Sequence, residues 1–436
     1  DMKEAFPVQC AEYAVANKIS EEPAFAWWIH SVLRKRDRIL MKVKSKFIRK
    51  SHKYGVEIPK SVQHALQIDE RTGTTFWSEA IKKEMKNVMV AFELSEDDKV
   101  PIGYTEMRTH MVFDIKLGSL TRKARLVANG NELDAPKETA FSSVVSRDSV
   151  RMFFLLAALN DLDVLSGDIQ NAYLTAETSE KLWTKLGDEF GPAKKGRIAI
   201  VVRALYGLKG SGKAFRDHLA KHLRAMKCKS CRADPDIWMR AAVKQDGTEY
   251  WEYIITYVDD VCACSMDPKA IFDSLAHNFT WKPGSVMEPE LYLGAEVKKW
   301  YIANDEDPTK VRWAMSSTKY TKKAIADVET ELRRIGKQLP TKVTTPLSND
   351  YRPELDQSKE LDATRLNYFQ GLVGVLRWTC ELGRLDILQP LSLMSRYLVS
   401  AREGHLDQLF HMFGYLKLHE RSTMVFDDGF PEYDER

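Results

Sequence analysis

The sequence predicts an α+β fold, with strand-forming stretches in the middle of the chain and helices after them. Residues 251–264 carry this most clearly: Trp251-Glu-Tyr-Ile-Ile-Thr-Tyr-Val258 and Val261-Cys-Ala-Cys264 are rich in β-branched and aromatic residues and flank Asp259-Asp260. Asp246-Gly247 just before them is a hairpin signal. Residues 104–129 alternate in the strand manner, with Met111, Phe113 and Ile115 at every second position. Beyond Leu293-Gly294 the pattern turns helical, with amphipathic stretches at 320–335, 368–382 and 406–419.

Taken in order, the first 74 residues read as an appendage. An apolar, aromatic stretch at 24–32 runs into 31–60, which holds eleven Lys and Arg against only Asp37 and Glu57. A solvated helix face and a phosphate-binding arm both account for it. A compact unit begins near Thr75, where Phe76, Trp77, Ala80, Ile81 and Met85 recur at helical spacing. On the next strand, Arg122-Lys-Ala-Arg-Leu-Val127 puts Lys123 and Arg125 on one face, a pair that suits an anion. Residues 148–160 form an apolar helix, and 162–165 a short buried strand that delivers Asp168 at its end. The Pro-, Thr- and Ser-containing stretch 339–353 reads as a linker.

With 436 residues and 44% of them hydrophobic, the chain can bury two to four structural units. It has neither an apolar run of the roughly 18–20 residues a bilayer requires nor a signal-peptide pattern, so no membrane partner is expected. Six cysteines without a repeated framework are expected as thiols. Cys228-Lys-Ser-Cys231 has metal-like spacing but no second pair to complete four ligands. The net charge of +3 predicts no partner by itself.

Two adjacent carboxylates in an apolar hairpin raise each other's pKa and lose hydration, a cost that a divalent cation removes. Hard oxygen ligands suit Mg²⁺, with Mn²⁺ as the alternative, and two ions could be held by Asp259, Asp260 and a third acid, Asp168. Because strand neighbours point to opposite faces, Asp259 is expected to bridge both ions with Asp168, leaving Asp260 more peripheral. A plain surface turn is the competing account of Asp-Asp.

The order of five motifs resembles the reverse transcriptase of copia-type retrotransposons. These are Lys123-Ala-Arg-Leu-Val-Ala128, Gly167-Asp168-Ile-Gln-Asn-Ala172-Tyr173-Leu174, Arg203-Ala-Leu-Tyr-Gly-Leu-Lys209, Tyr257-Val258-Asp259-Asp260 and Leu291-Tyr-Leu-Gly294. The similarity runs from about Phe76 to Met424. It implies a right-hand polymerase: fingers at 75–165, a palm with an interleaved fingers segment at 166–298, a thumb at 299–345 and a connection-like region at 346–436. Residues 1–74 would then be the end of an integrase region or linker.

The resemblance also implies an RNA-directed DNA polymerase that takes deoxynucleoside triphosphates onto a DNA primer, on RNA or DNA template, through an RNA–DNA hybrid. Asp168, Asp259 and Asp260 would be catalytic metal ligands, and Lys282 would protonate the leaving pyrophosphate. Lys123 and Arg125 would grip the β and γ phosphates, and Tyr173, beside Ala172, would bar a 2′-hydroxyl. Gly207 would let the backbone approach the nucleotide or template. Tyr257, Lys209, Leu293 and Gly294 would meet template and primer. Trp281 and Tyr292 are read as packing residues.

The chain departs from the pattern after Lys209, at Gly210-Ser-Gly-Lys213-Ala-Phe215, and at Arg384-Leu385-Asp386, where the family has an RPD-like run. No acids of an RNase H domain are expected before Arg436, and a start at Asp1 suggests a piece of a polyprotein with integrase and RNase H elsewhere. The expected location is cytoplasmic, in virus-like particles, or nuclear. A domesticated, non-catalytic nucleic-acid-binding protein of the same fold is the main alternative, and a two-metal nuclease a second; the latter has no need of Tyr173 or of the paired cations.

Overall fold

A computed structural model describes residues 52–53, 55–116, 119–134, 140–301, 312–426 and 429. The chain divides into two units, 1–58 and 59–436. Of the first, a two-stranded antiparallel hairpin, His52–Lys53 with Val56–Glu57, is described. The aromatic stretch 24–32, most of the basic segment 31–60 and most of the acidic C-terminal segment lie outside the described residues.

The second unit begins with helices α1 (Val62–Thr72) and α2 (Phe76–Val88), then strands β1 (Phe92–Leu94), β2 (Thr105–Glu106), β3 (Thr109–Ile115) and β4 (Arg122–Ala128). Helix α3 (Arg147–Leu159), β5 (Asp163–Asp168), α4 (Ala172–Thr175), β6 (Glu177–Lys185) and β7 (Ile198–Arg203) follow. Next come α5 (Ser211–Ala225), β8 (Lys229–Ser230), β9 (Ile237–Val243), β10 (Glu249–Tyr257), β11 (Asp260–Ser265) and α6 (Pro268–Ala276). The last part holds β12 (Leu291–Tyr292), β13 (Ala295–Trp300), β14 (Arg312–Ser316), α7 (Thr318–Arg334), α8 (Ala363–Glu381), α9 (Leu388–Ser395), α10 (Glu403–Leu418) and β15 (Thr423–Phe426). This is the mixed α and β content expected, with sheets through the middle of the chain and helices dominating after residue 318.

Five antiparallel strands in the order β8-β9-β10-β11-β5 make the central sheet. Its two faces are covered differently. On one, Phe215, Leu219 and Leu223 of α5 and Ile271, Phe272 and Leu275 of α6 pack on Ile254, Val261 and Ala263. On the other, α3 inserts Phe153, Phe154 and Ala157 between the sheet residues Val164, Cys262 and Cys264 and the second sheet, β12-β13-β14-β15, which contributes Tyr292, Trp313 and Phe426. A strand buried on both faces reads as a continuous apolar run, which is why Val261-Cys-Ala-Cys264 does not alternate.

A sheet in the order β1-β7-β6-β2 and the separate hairpin β3-β4 complete the β structure of this unit among the described residues. Met111, Phe113 and Ile115 are the buried face of β3, and Ala124, Leu126 and Ala128 that of β4, so the chain's other face on β4 carries Lys123 and Arg125 outward. The five described cysteines are free thiols.

Helices α7–α10 share one apolar core, with Val328, Leu332, Phe369, Leu376, Leu409 and Phe413 at its centre. Segment 339–353 is not a linker: Leu339 and Val343 are buried, and the Pro340 carbonyl packs so tightly on Gly414 that a Cβ there would lie 2.6 Å from it. The polar, Pro-containing composition hid a few apolar side chains spaced to meet helices over sixty residues away. Nothing local marks such contacts.

Arg384, only 2% exposed, gives Arg384-Leu385-Asp386 a structural duty. Its Nε and Nη2 donate to the two carboxylate oxygens of Asp386 at 2.9 and 2.7 Å, and Nη1 donates to the His419 carbonyl at 2.7 Å. The end of α8 is thereby tied to the end of α10. Arg384→Met is expected to destabilise the fold by about 2 kcal/mol, because the part-buried His419 carbonyl and the Asp386 carboxylate lose their partner together. Thermal melts of the two proteins followed by circular dichroism would check this; a shift within error would mean that the pair contributes nothing net.

Candidate active site

The site is assembled where β5 ends and β11 begins. Asp260 and Asp168 are direct partners across the antiparallel pair, so their side chains leave the same face of the sheet. Tyr257 pairs with Asp260, which leaves Val258 and Asp259 as a two-residue turn. Val258 has φ +55°, a backbone conformation that a β-branched residue enters at a cost of about 1–3 kcal/mol. The turn is fastened from the side as well: the Asp259 carbonyl accepts the Ile169 N–H at 2.8 Å. Asp259 is thus offered at the tip while Asp260 and Asp168 lie on the sheet beneath it.

Gly167 makes room on the opposite face. A Cβ there would stand 2.7 Å from the Phe272 ring and 3.1 Å from Trp281, both of which pack beneath the strand. Trp281 also bridges to Ile169, and Met287 to Ser166, so residues 281–287 cover the outer edge of β5. Within that cover the Lys282 N–H donates to the Asp168 carbonyl at 2.9 Å, and the Asp168 N–H donates to Ser285 Oγ at 3.2 Å. The Lys282 ammonium pairs with the Asp168 carboxylate and lies 3.8 Å from that of Asp259.

Burial, and after it the charges of Asp259 and Asp168, push the Asp260 carboxyl up to about 6. Asp168 Oδ1 is buried and has no hydrogen-bond partner among the described residues. A cleft of about 310 Å³ opens beside these acids, lined by Ser166, Asp168, Asp260, Met287, Tyr292 and Leu293 among others. Among the described residues no three His, Cys, Asp or Glu side chains already converge on one point in ligating geometry. The donor set nevertheless fits a hard divalent cation: three carboxylates on adjoining backbone, one with an orphaned buried oxygen and one whose charged form is penalised by its like-charged neighbours.

The cationic strand faces this site. Burial, then the charges of Arg125 and Lys282, lower the Lys123 pKa, which places Lys123 within electrostatic reach of the acids' own lysine. Arg125 lies over the Tyr206 ring at 5.2 Å, and Tyr206 lies 4.9 Å from the Tyr173 ring. Burial and then the charge of Asp259 raise the Tyr173 pKa, so this stack ends beside the turn. Ala172 is buried at the start of α4, immediately after Asn171 at φ +54°. Lys123, Arg125, Ala172, Tyr173 and the three acids are thus gathered in one region from four separate segments.

Other expected residues lie nearby with different local duties. Gly207 has φ +96°, and a Cβ on it would lie 2.1 Å from the Ala128 carbonyl oxygen; a Cβ on Gly130 would lie 2.1 Å from the Gly207 oxygen. The backbone crossing there is between two protein segments, joined by the Ala128 N–H donating to the Tyr206 carbonyl at 2.7 Å. Gly207 therefore positions Tyr206 against β4. Lys209 donates its ammonium to the Leu133 carbonyl at 2.6 Å. Leu293 and Gly294, at φ +46° and +90°, form the turn between β12 and β13, with Gly294 close to the Trp378 ring of α8. Tyr292 is buried, and Trp281 packs on Phe272, as packing residues do.

Several contributors were not legible as site residues. Asp234 accepts hydrogen bonds from Ser149 Oγ and the N–H groups of Ser146 and Asp236, and the Asp236 carbonyl accepts from the Thr256 N–H, next to Tyr257. Asp-Pro-Asp at 234–236 was the available signal, but turns of that composition are common. Glu84 of α2 accepts the Leu126 N–H at 3.0 Å and steadies the cationic strand.

An antiparallel strand pair that gathers three carboxylates, with two cations on a nearby hairpin, is the geometry to which the comparisons with known proteins attach. Residues 90–313, about half of the chain, match the family profile described as "Reverse transcriptase (RNA-dependent DNA polymerase)". The chain belongs to this family, in its copia-type branch. It is 24% identical over 379 residues to the "Retrovirus-related Pol polyprotein from transposon TNT 1-94" of Nicotiana tabacum, covering 82% of this chain and 26% of that protein. It is 25% identical over 252 residues to a protein assigned to transposon Ty5-1 in Saccharomyces cerevisiae, covering 57% of this chain and 74% of that protein. The chain thus spans about a quarter of the tobacco polyprotein's length. No helix among the described residues is long and apolar enough to cross a membrane.

Proposed function

We propose that the chain is the polymerase segment of a retrotransposon polyprotein, adding deoxynucleotides to a primer 3′-hydroxyl on an RNA or DNA template. The observation that carries this reading is the opposition of Asp168 and Asp260 across one strand pair, with Asp259 on the turn above. Asp168, Asp259 and Asp260 would hold two Mg²⁺ ions, or Mn²⁺ in their place. Bound there, such ions lower the pKa of the attacking hydroxyl and neutralise charge on the phosphates.

The chain's own residues do the rest. Lys123 and Arg125 bind the triphosphate, with Arg125 held flat on Tyr206. Lys282 stores a proton on the ammonium now paired with Asp168, and gives it to the leaving pyrophosphate once the acid has other company. Tyr257, Lys209, Leu293 and Gly294 border the path of primer and template. In right-hand terms the central sheet is the palm, the hairpin β3-β4 and the sheet β1-β7-β6-β2 are fingers, and α7–α10 supply thumb and connection.

Extension of a labelled DNA primer on an RNA template with Mg²⁺ tests the reading. Incorporation by this chain is the expected result; tight primer–template binding without incorporation would favour the non-catalytic nucleic-acid-binding protein. Tyr173, packed against Tyr206 and Phe215, has little freedom to retreat from a 2′-hydroxyl. Tyr173→Val is expected to relax discrimination against ribonucleotides by about 100-fold, a magnitude that steric and packing differences of 1–3 kcal/mol allow. Single-nucleotide kcat/KM values for matched ribo- and deoxynucleotides would decide it, and an unchanged ratio would remove Tyr173 from the sugar pocket.

A further inference from the structure

Arg147, the first residue of α3, lies where three parts of the molecule meet. Its guanidinium carbon is 4.4 Å over the Trp378 ring of α8. Trp378 in turn is the neighbour of Gly294, whose added Cβ would stand 3.5 Å from the indole. Tyr257 of the catalytic turn and Tyr292 of β12 are both close enough to act on the charge of Arg147. Two residues earlier, the Val145 N–H donates to the Thr256 carbonyl at 3.2 Å, so the approach to α3 is fastened to the strand that leads into the turn.

A guanidinium has five N–H donors and stays charged in proteins. Among the described residues that of Arg147 makes no ion pair and no hydrogen bond, and its Nη1 is buried without a partner. Burial draws its pKa down, and Glu381, though near enough to oppose the shift, forms no ion pair with it. Neighbouring arginines are different: Arg151 pairs with Asp148 and donates to the Glu381 carbonyl, and Arg384 is satisfied on three sides. A guanidinium seated over an indole, with its donors unspent, is preorganised for an anion.

We propose that Arg147 takes a backbone phosphate of the primer strand beside the catalytic turn, with Trp378 as the plate that fixes its guanidinium. This rests on the polymerase reading and on the primer path proposed with it, which borders Tyr257 and the Leu293-Gly294 turn. The contact carries no sequence information; it fixes register and distance.

The test uses the whole chain and an RNA–DNA primer–template whose last few primer linkages are replaced one at a time by uncharged methylphosphonate. Binding is read by fluorescence anisotropy across a salt series for the parent, Arg147→Gln and Arg147→Lys. Arg147→Gln is expected to weaken binding about tenfold and reduce the log–log salt slope by about one, with Lys restoring part of both. One methylphosphonate should weaken the parent and cost Arg147→Gln nothing further. If every methylphosphonate costs parent and variant equally, or the variant melts earlier with an unchanged salt slope, Arg147 is a packing residue under Trp378. Should Arg147→Gln fail to fold, the same comparison is made with Arg147→Lys, whose point charge should shift the methylphosphonate sensitivity. A parent that extends primers but follows the packing pattern overturns the Arg147 proposal alone; a parent that binds no primer–template overturns it together with the polymerase reading.

Discussion

Asp168→Asn is expected to reduce primer extension by on the order of 10³-fold or more while leaving the fold intact, the size of effect seen when one preorganised charge is removed from a site whose members act together. The geometry says why the loss should be functional. Asp168 spends its backbone on structure, donating its N–H to Ser285 and accepting from the Lys282 N–H, whereas among the described residues its carboxylate pairs with the Lys282 ammonium alone and keeps one oxygen unpaired. An amide there preserves shape and removes charge. Asp260→Asn makes an informative companion, because Asp260 opposes Asp168 directly across the strand pair and its burial already disfavours the charged form. If Asp260 is a full ligand its loss should match that of Asp168; if peripheral, it should cost only about tenfold to a hundredfold. Steady-state extension with a melting curve for each variant checks both. Full activity in Asp168→Asn would sink the metal assignment.

The second large effect is structural. Gly207→Ala is expected to destabilise the protein by about 3 kcal/mol, combining the cost of an L-residue at positive φ with overpacking. At φ +96°, the new Cβ would be driven to 2.1 Å from the Ala128 oxygen, a backbone atom that cannot step aside without moving β4. Since Tyr206 bonds to Ala128 and supports both Arg125 and Tyr173, nucleotide affinity should fall further than stability alone requires. Chemical denaturation together with KM for the incoming nucleotide would show this, and an unperturbed KM in a destabilised variant would separate the fold from the site. Gly130→Ala should behave similarly, since its Cβ meets the other side of the same crossing.

Much of this could be read from residue order. Hairpin chemistry and β-branched runs located β10 and β11, helical periodicity located α3, α7, α8 and α10, and the alternation of Arg122–Ala128 put Lys123 and Arg125 on the outward face of β4. Asp259-Asp260 stood out as candidate metal ligands because adjacent acids between apolar strands are a local signal with a local cost. That Asp260 faces Asp168 was not, because register across strands ninety residues apart is fixed by packing on both sheet faces and leaves no mark in either strand.

The same distinction separates the remaining residues. Sequence by itself determined which groups could carry charge, bind phosphate or adopt positive φ, since these are properties of single side chains and of neighbours along the chain. Only the tertiary structure decided which of those capacities meet. It put Lys282 on Asp168, gave Gly207 to a crossing of two backbones, engaged Lys209 with the Leu133 carbonyl, and left the Arg147 guanidinium over Trp378 with no hydrogen-bond partner among the described residues. Each outcome depends on burial and hydrogen-bond satisfaction between segments far apart in sequence, and those energies exist only once the chain has closed on itself.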